Sequence, residues 1–154
     1  MWHEINTQAE ADAFLARMYG FHDSCVKELS YSSGAYVEGD LSMYPVNGQR
    51  ILRMVLQRQF ADPSMIELAF TGVSLVRLTP EDETHTCELE DVTLLVQAGR
   101  VCWCDRGGIA AEEMPTYDGT VICAEKVCWR PIEGHMGEAQ FYLPADGGQG
   151  DAAT

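Results

Sequence analysis

Basic side chains are scarce in this sequence: Lys and Arg total 10 against 24 Asp and Glu, a formal net charge of −14 over 154 residues. That shortage argues against nucleic acid as a direct partner, because binding a phosphate backbone needs a positive footprint. It also removes electrostatic attraction to an anionic membrane surface. Long hydrophobic runs are missing, and no stretch approaches the roughly 20 apolar residues of a membrane-spanning helix. The opening Met1-Trp2-His3-Glu4-Ile5-Asn6 has neither the basic nor the apolar region of a secretory signal, so a soluble cytoplasmic protein is expected. Catalytic signatures are lacking too. There is no G-x-S-x-G elbow to present a nucleophile, no H-E-x-x-H pair and no doubled C-x2-C knuckle, and His3, His85 and His135 stand alone. No catalytic residue, cofactor or metal is therefore expected. With no internal repeat and no visible domain boundary, residues 1–143 are expected to form a single domain, and the Gly-, Ala- and Asp-rich residues 144–154 a flexible tail.

What is present is ordinary globular material, 46% hydrophobic and 22% charged, so the negative charge does not signal disorder. Six cysteines, Cys25, Cys87, Cys102, Cys104, Cys123 and Cys128, would suit a disulfide framework in a small secreted domain. In a chain of this length without a signal they are expected to be free, mostly buried thiols that pack like small hydrophobes.

Hydrophobic periodicity gives the elements. Thr7-Gln8-Ala9-Glu10 has capping-box spacing, Ala11, Phe14, Leu15 and Met18 form one apolar stripe, and Gly20 supplies a stop, which predicts one N-terminal helix. After Gly20 the period changes to 2. Strands are expected at Cys25 to Tyr31, at Ala35 to Tyr44 with Val37, Leu41 and Met43 inward, and at Arg50 to Phe60, with a tight hairpin turn at Asn47-Gly48. Further strands are expected at Met65 to Phe70 and, after a bend at Gly72, at Val73 to Leu78. Cys87 to Gln97 turns through Ala98-Gly99 into Arg100 to Asp105, and Thr120 to Trp129 reads as a last long strand. One helix followed by about eight short-turned strands predicts a mainly β protein, an antiparallel sandwich or half-barrel.

Candidate site residues fall into three groups. Cys102-Trp103-Cys104 would place two thiols on one strand face, within reach of a shared metal if neighbouring strands supplied the rest, although packing on a sheet face is the expected role. His22 and Asp23, beside Ser24, mark a motif or pocket at the junction of helix and first strand, where hydrogen bonding of the turn is the expected role. Trp103, Trp129, Tyr31, Tyr36 and Tyr44 suit either a stacking surface or the core. The acids are unevenly spread: residues 1–77 hold 9 acids and 6 bases, −3, while residues 78–154 hold 15 acids and 4 bases, −11. Glu81, Asp82, Glu83, Glu88, Glu90, Asp91, Glu112 and Glu113 are the candidates for contact with a basic protein partner.

The N-terminal helix, then Phe21-His22-Asp23-Ser24, then Ile-Glu-Leu-Ala-Phe-Thr-Gly-Val at residues 66–73 resembles small bacterial β proteins, some of them immunity proteins of toxin systems. The resemblance implies a binding protein and carries no catalytic residues with it. The expectation is an acidic binding or inhibitor module that docks a basic protein; the alternative is a small-ligand-binding protein or enzyme with a site between the sheets. A deep pocket lined by Trp or Tyr with a convergent His22, Asp23 or Arg would favour the second, and a flat acidic face the first. A homo-oligomer paired through exposed edge strands is a third expectation.

Overall fold

The capping box encoded at Thr7 to Glu10 is formed in the structure, a computed structural model that describes residues 1–142. The Glu10 N–H donates to Thr7 Oγ1 at 3.2 Å and the Thr7 N–H to Glu10 Oε2 at 3.1 Å, satisfying two orphan donors at the start of α1 (Gln8–Arg17). Ala11, Phe14 and Met18 are buried on its inner stripe, and Gly20 turns the chain away at φ +63°. Tyr19, Phe21 and Asp23 also have positive φ, a costly conformation for residues with a Cβ. Full burial of Phe21, and a 3.2 Å hydrogen bond from Arg58 Nη2 to the Met18 carbonyl, hold this segment in place.

Beyond the helix the paired strands are all antiparallel. One sheet has the order β1 (His3–Ile5), β11 (Lys126–Pro131), β6 (Met65–Thr71), β5 (Ile51–Arg58) and β2 (Ser24–Ser32). The second has the order β7 (Leu75–Arg77), β10 (Val121–Ala124), β9 (Arg100–Cys104) and β8 (Thr93–Gln97). The protein is thus a mainly β, antiparallel sandwich with one N-terminal helix, and α1 packs against β8.

The sheets share a corner. The β6–β11 ladder of the first continues as the β7–β10 ladder of the second, so two neighbouring strands change sheet together. Gly72, at φ +69°, makes the bend on one side and Glu125 on the other. The Glu125 N–H reaches the Thr71 and Gly72 carbonyls at 3.1 and 3.2 Å. This corner corrects the single long strand expected over Thr120 to Trp129: it is β10 and β11, interrupted at Glu125 where the chain crosses.

Alternating residues of β5, β6, β9 and β10, among them Leu52, Met54, Leu68, Trp103 and Ile122, fill the space between the sheets with Phe14 of the helix. The outer face of the second sheet buries a smaller cluster, Cys104, Val121 and Cys123 beneath Met114. The outer face of the first carries Glu67, fully buried, paired with Arg53 at 3.4 Å and Arg130 at 2.6 Å. Residues 132–142 lie against that face: the Phe141 and Tyr142 N–H groups donate to Glu28 at 2.7 and 3.0 Å, and Lys27 Nζ donates to the Gly137 carbonyl at 2.7 Å.

Four other expectations need correction. The strand expected over Ala35 to Tyr44 is a small hairpin, β3 (Tyr36–Val37) and β4 (Met43–Tyr44), and Val37, Leu41 and Met43 are exposed rather than inward. Its turn lies over residues 38–42, and Asn47-Gly48 sits in the return to β5, because β5 pairs with β2 and not with β4. Cys87 to Val92 joins the ladders only through a Ser24–Leu89 bridge, so the strand begins at Thr93. Cys102 and Cys123, expected as free thiols, form a disulfide: they face each other directly across β9 and β10 with Cα atoms 4.2 Å apart. Residues 144–154, expected as a tail, lie outside the described residues.

Candidate functional site

Two sheets joined at one corner leave a gap on the side away from it, next to β2 at the edge of the first sheet. A cleft of about 580 Å³ opens there. Val26, Leu29 and Met54 of the first sheet line it, with Leu78 and Leu89 from the long loop between β7 and β8. Trp103, Asp105, Arg106 and Tyr117 come from β9 and the loop that follows. The walls are apolar and the rim is charged, with Glu81, Glu88 and Asp105 against Arg106; Lys27 and Glu28 also border it, their charged groups bonded to Gly137, Phe141 and Tyr142.

The polar groups of this cleft fall into two classes. Most are engaged. Tyr117 donates its hydroxyl to Asp105 Oδ1; burial first, and this carboxylate second, raise the Tyr117 phenol far above its ordinary value. The Arg106 guanidinium lies 5.7 Å from the centre of the Tyr117 ring. Glu28 is occupied by the backbone of Phe141 and Tyr142. Trp103 is different: it is 1% exposed, and its indole Nε1–H has no partner among the described residues. A buried donor without an acceptor is costly and rare, and this one belongs to a residue that lines the cleft.

Arg58 Nε is the other such atom. Its guanidinium already donates to the Pro63 carbonyl at 2.6 Å and to Met18, and lies 5.4 Å from the centre of the Phe60 ring, so the group serves as a backbone anchor.

His22 and Asp23 do not line the cleft but reach its rim through Glu88. His22 Nδ1 is 3.0 Å from Asp23 Oδ1. The neighbouring Glu88 carboxyl, then the contact with His22, holds the Asp23 carboxyl below its ordinary value, while Asp23 raises Glu88. Two carboxyls sharing a proton explain the opposite directions. Ser24 Oγ donates to the His22 carbonyl at 3.3 Å, a contact within the turn.

The eight acids proposed for partner contact are not equivalent. Glu81 and Glu88 line the cleft. Asp82 accepts from the Thr84 hydroxyl at 2.6 Å, from His85 Nδ1 at 2.8 Å and from the Thr84 N–H at 2.9 Å, bonds that lower its carboxyl and fold its own loop. Asp91 accepts from the Val92 N–H at 2.9 Å, and Glu113 from the Ala110 N–H at 3.1 Å. Glu83, Glu90 and Glu112 are exposed.

Of the cysteines, Cys104 is buried, Cys25 and Cys128 are half-buried and Cys87 is exposed, correcting the expectation of mostly buried thiols for that residue. Burial raises the Cys25, Cys104 and Cys128 thiols. The metal idea for Cys102 and Cys104 meets a definite obstacle, since Cys102 is bonded to Cys123. Among the described residues no three His, Cys, Asp or Glu side chains gather as a metal site. No described helix is long and apolar enough to cross a membrane.

Sequence reasoning named Trp103 and missed Asp105, Arg106 and Tyr117. The available signal was their place at the end of a strand and in the loop that leaves it, where binding groups are commonly presented. No family model matches this chain, and no curated protein or solved structure matches it either.

Proposed function

We propose that this protein binds a small, apolar-bodied molecule in the cleft between its two sheets. The observation that carries the reading is Trp103, which lines a cleft of about 580 Å³ and whose buried indole N–H has no partner among the described residues. That volume falls in the range of small-molecule pockets, and the donor asks for a ligand with a hydrogen-bond acceptor. The charges select further. Glu81, Glu88 and Asp105 outnumber Arg106 at the rim, in a chain carrying −14, so neutral or cationic ligands are favoured over anionic ones. An amide or an amine with an adjacent carbonyl on an apolar body meets both requirements. The engaged state of Asp105, Tyr117 and Glu28 fits a role in holding a ligand rather than transforming it.

The test is a thermal-shift and NMR titration with apolar amides and amines beside the corresponding carboxylates. The first two should bind and raise the melting temperature, and Trp103→Phe should weaken them about tenfold, the worth of one hydrogen bond to a buried acceptor. Failure of every probe, or equal affinity of Trp103→Phe, would sink the reading.

A second reading, an acidic module docking a basic protein in the manner of an immunity protein, is favoured by the exposure of Glu81, Glu83, Glu88 and Glu90 on one loop. It predicts association with a basic partner that slows sharply as salt rises. The cytoplasmic location expected from the sequence would leave the Cys102–Cys123 disulfide open to reduction.

A further inference from the structure

We infer that the projecting β3–β4 hairpin is the contact through which two copies of this chain pair. Every residue from 35 to 49 is exposed, yet the segment is not polar. Tyr36 (53%), Val37 (52%), Leu41 (83%), Met43 (66%), Tyr44 (49%) and Val46 (69%) all face solvent, and Tyr31 (51%) at the end of β2 adjoins them. Tyr36 stacks on Tyr44 at 4.9 Å across the ladder, while the next pair, Val37 and Met43, points to the opposite face. Both faces of the hairpin are therefore apolar. A two-stranded hairpin alone is marginal in water, and this one has a ladder of only two residue pairs. Such an arm is completed by another surface laid against it.

Three considerations make that surface a second copy. The first is area. At about 150–220 Å² for a fully exposed large side chain, the exposed fractions amount to about 800 Å² over the two faces of the arm, the share each partner gives to a standard interface when a second copy clasps the arm on both sides. The second is charge. Residues 29–49 hold only Glu38 and Asp40 and no Lys or Arg, so the arm carries little charge to select a basic or acidic stranger, whereas apolar and aromatic pairs are complementary to themselves. The third is placement. The arm leaves from β2, at the edge of the first sheet, in the half of the chain that carries −3 rather than −11. Pairing there keeps the bulk of the like charge apart, and the remainder is screened over about 10 Å at ordinary salt. Residues 143–154, Leu-Pro-Ala-Asp-Gly-Gly-Gln-Gly-Asp-Ala-Ala-Thr, bring one large apolar side chain and cannot cover seven.

Sedimentation equilibrium of the full chain decides the matter. The expected mass is twice 17.1 kDa, retained in high salt because the contact is apolar. Leu41→Asp with Met43→Asp should weaken pairing at least a hundredfold, as loss of two anchors does, and return the chain to 17.1 kDa. Its melting as a monomer should match that of a second double variant, Tyr36→Ser with Tyr44→Ser, since none of the four residues is buried. A wild-type mass of 17.1 kDa up to about 100 μM overturns the inference. So does a dimer that survives both double variants.

Discussion

At the scale of single residues, burial and unpaired polarity disagree most at Trp103. Truncation to Ala would empty a large core volume and is expected to cost about 3–5 kcal/mol. Trp103→Phe removes the indole N–H together with part of the ring. Relief of an unsatisfied donor, about 1–3 kcal/mol, then offsets most of the lost packing. Chemical denaturation should find the Phe variant within about 1 kcal/mol of the parent and the Ala variant well below it. A Phe variant as damaged as the Ala variant would show that the N–H is satisfied in solution. Asp23 and Glu88 give a second prediction. Asp23 has a lowered carboxyl, so its contribution to stability is present above the ordinary Asp value and is lost as pH falls through the folded one. Glu88 has a raised carboxyl, so its contribution is present below the ordinary Glu value and is lost as pH rises through the folded one. The shared proton therefore favours the fold most near pH 4, between the two titrations, and Glu88→Gln should abolish that local maximum. Carbon-detected NMR titration should show Asp23 below and Glu88 above their ordinary values; coincident titrations would refute the pairing.

At the scale of elements, the corner between the sheets is the most demanding feature. Gly72 occupies a left-handed conformation, and a Cβ there would come within 2.6 Å of the Glu125 carboxyl group. Gly72→Ala should therefore lower the unfolding free energy by about 1–2 kcal/mol, and Gly72→Asn, which tolerates positive φ better, by less at the backbone. The disulfide on the outer face of the second sheet closes a loop with a sequence separation of 21. Reductant should cost about 3 kcal/mol by loop entropy and have no effect on a variant carrying Cys102→Ala and Cys123→Ala. The helix was legible because its signals are local: Thr7, Glu10 and the Ala11–Phe14–Met18 stripe lie within three turns. The Ala98-Gly99 hairpin was legible for the same reason, both residues having positive φ. The break at Glu125 was not, since the apolar residues on either side, Val121 to Ala124 and Val127 to Trp129, read as one strand, and only the partner at Gly72, far away in sequence, shows that two strands turn together. Glu67 hid in the same way. Alternation with Ile66 and Leu68 assigns it to a solvent face, but residues 132–142 cover that face and Arg53 and Arg130 pair with it. The arm misled by the opposite route, because period 2 records a strand pair without saying whether anything lies against it.

At the scale of the whole molecule, the acidity and the cleft meet. The second half of the chain holds 15 acids and 4 bases, and the loop between β7 and β8, which supplies Glu81 and Glu88 to the cleft, belongs to it. Sequence placed Glu81 correctly in a loop and Glu88 wrongly on a strand, and it could not show that they border a cavity whose aromatic wall comes from β9. A field of one sign at the mouth of an apolar cleft acts on ligand charge before any contact is made, and low-dielectric walls focus it. A cationic probe should bind more tightly than its neutral isostere at low salt, and an anionic one more weakly. The difference should shrink as added salt shortens the screening length from about 10 Å at 0.1 M to about 3 Å at 1 M. Glu81→Gln combined with Glu88→Gln should reproduce the effect of salt while leaving the neutral probe unchanged, because neither side chain is buried. Isothermal titration of the three probes at low and high salt measures both effects. Equal affinities at low salt would mean that the rim does not govern entry, and the Trp103 donor with the shape of the cleft would then be the whole of the selectivity.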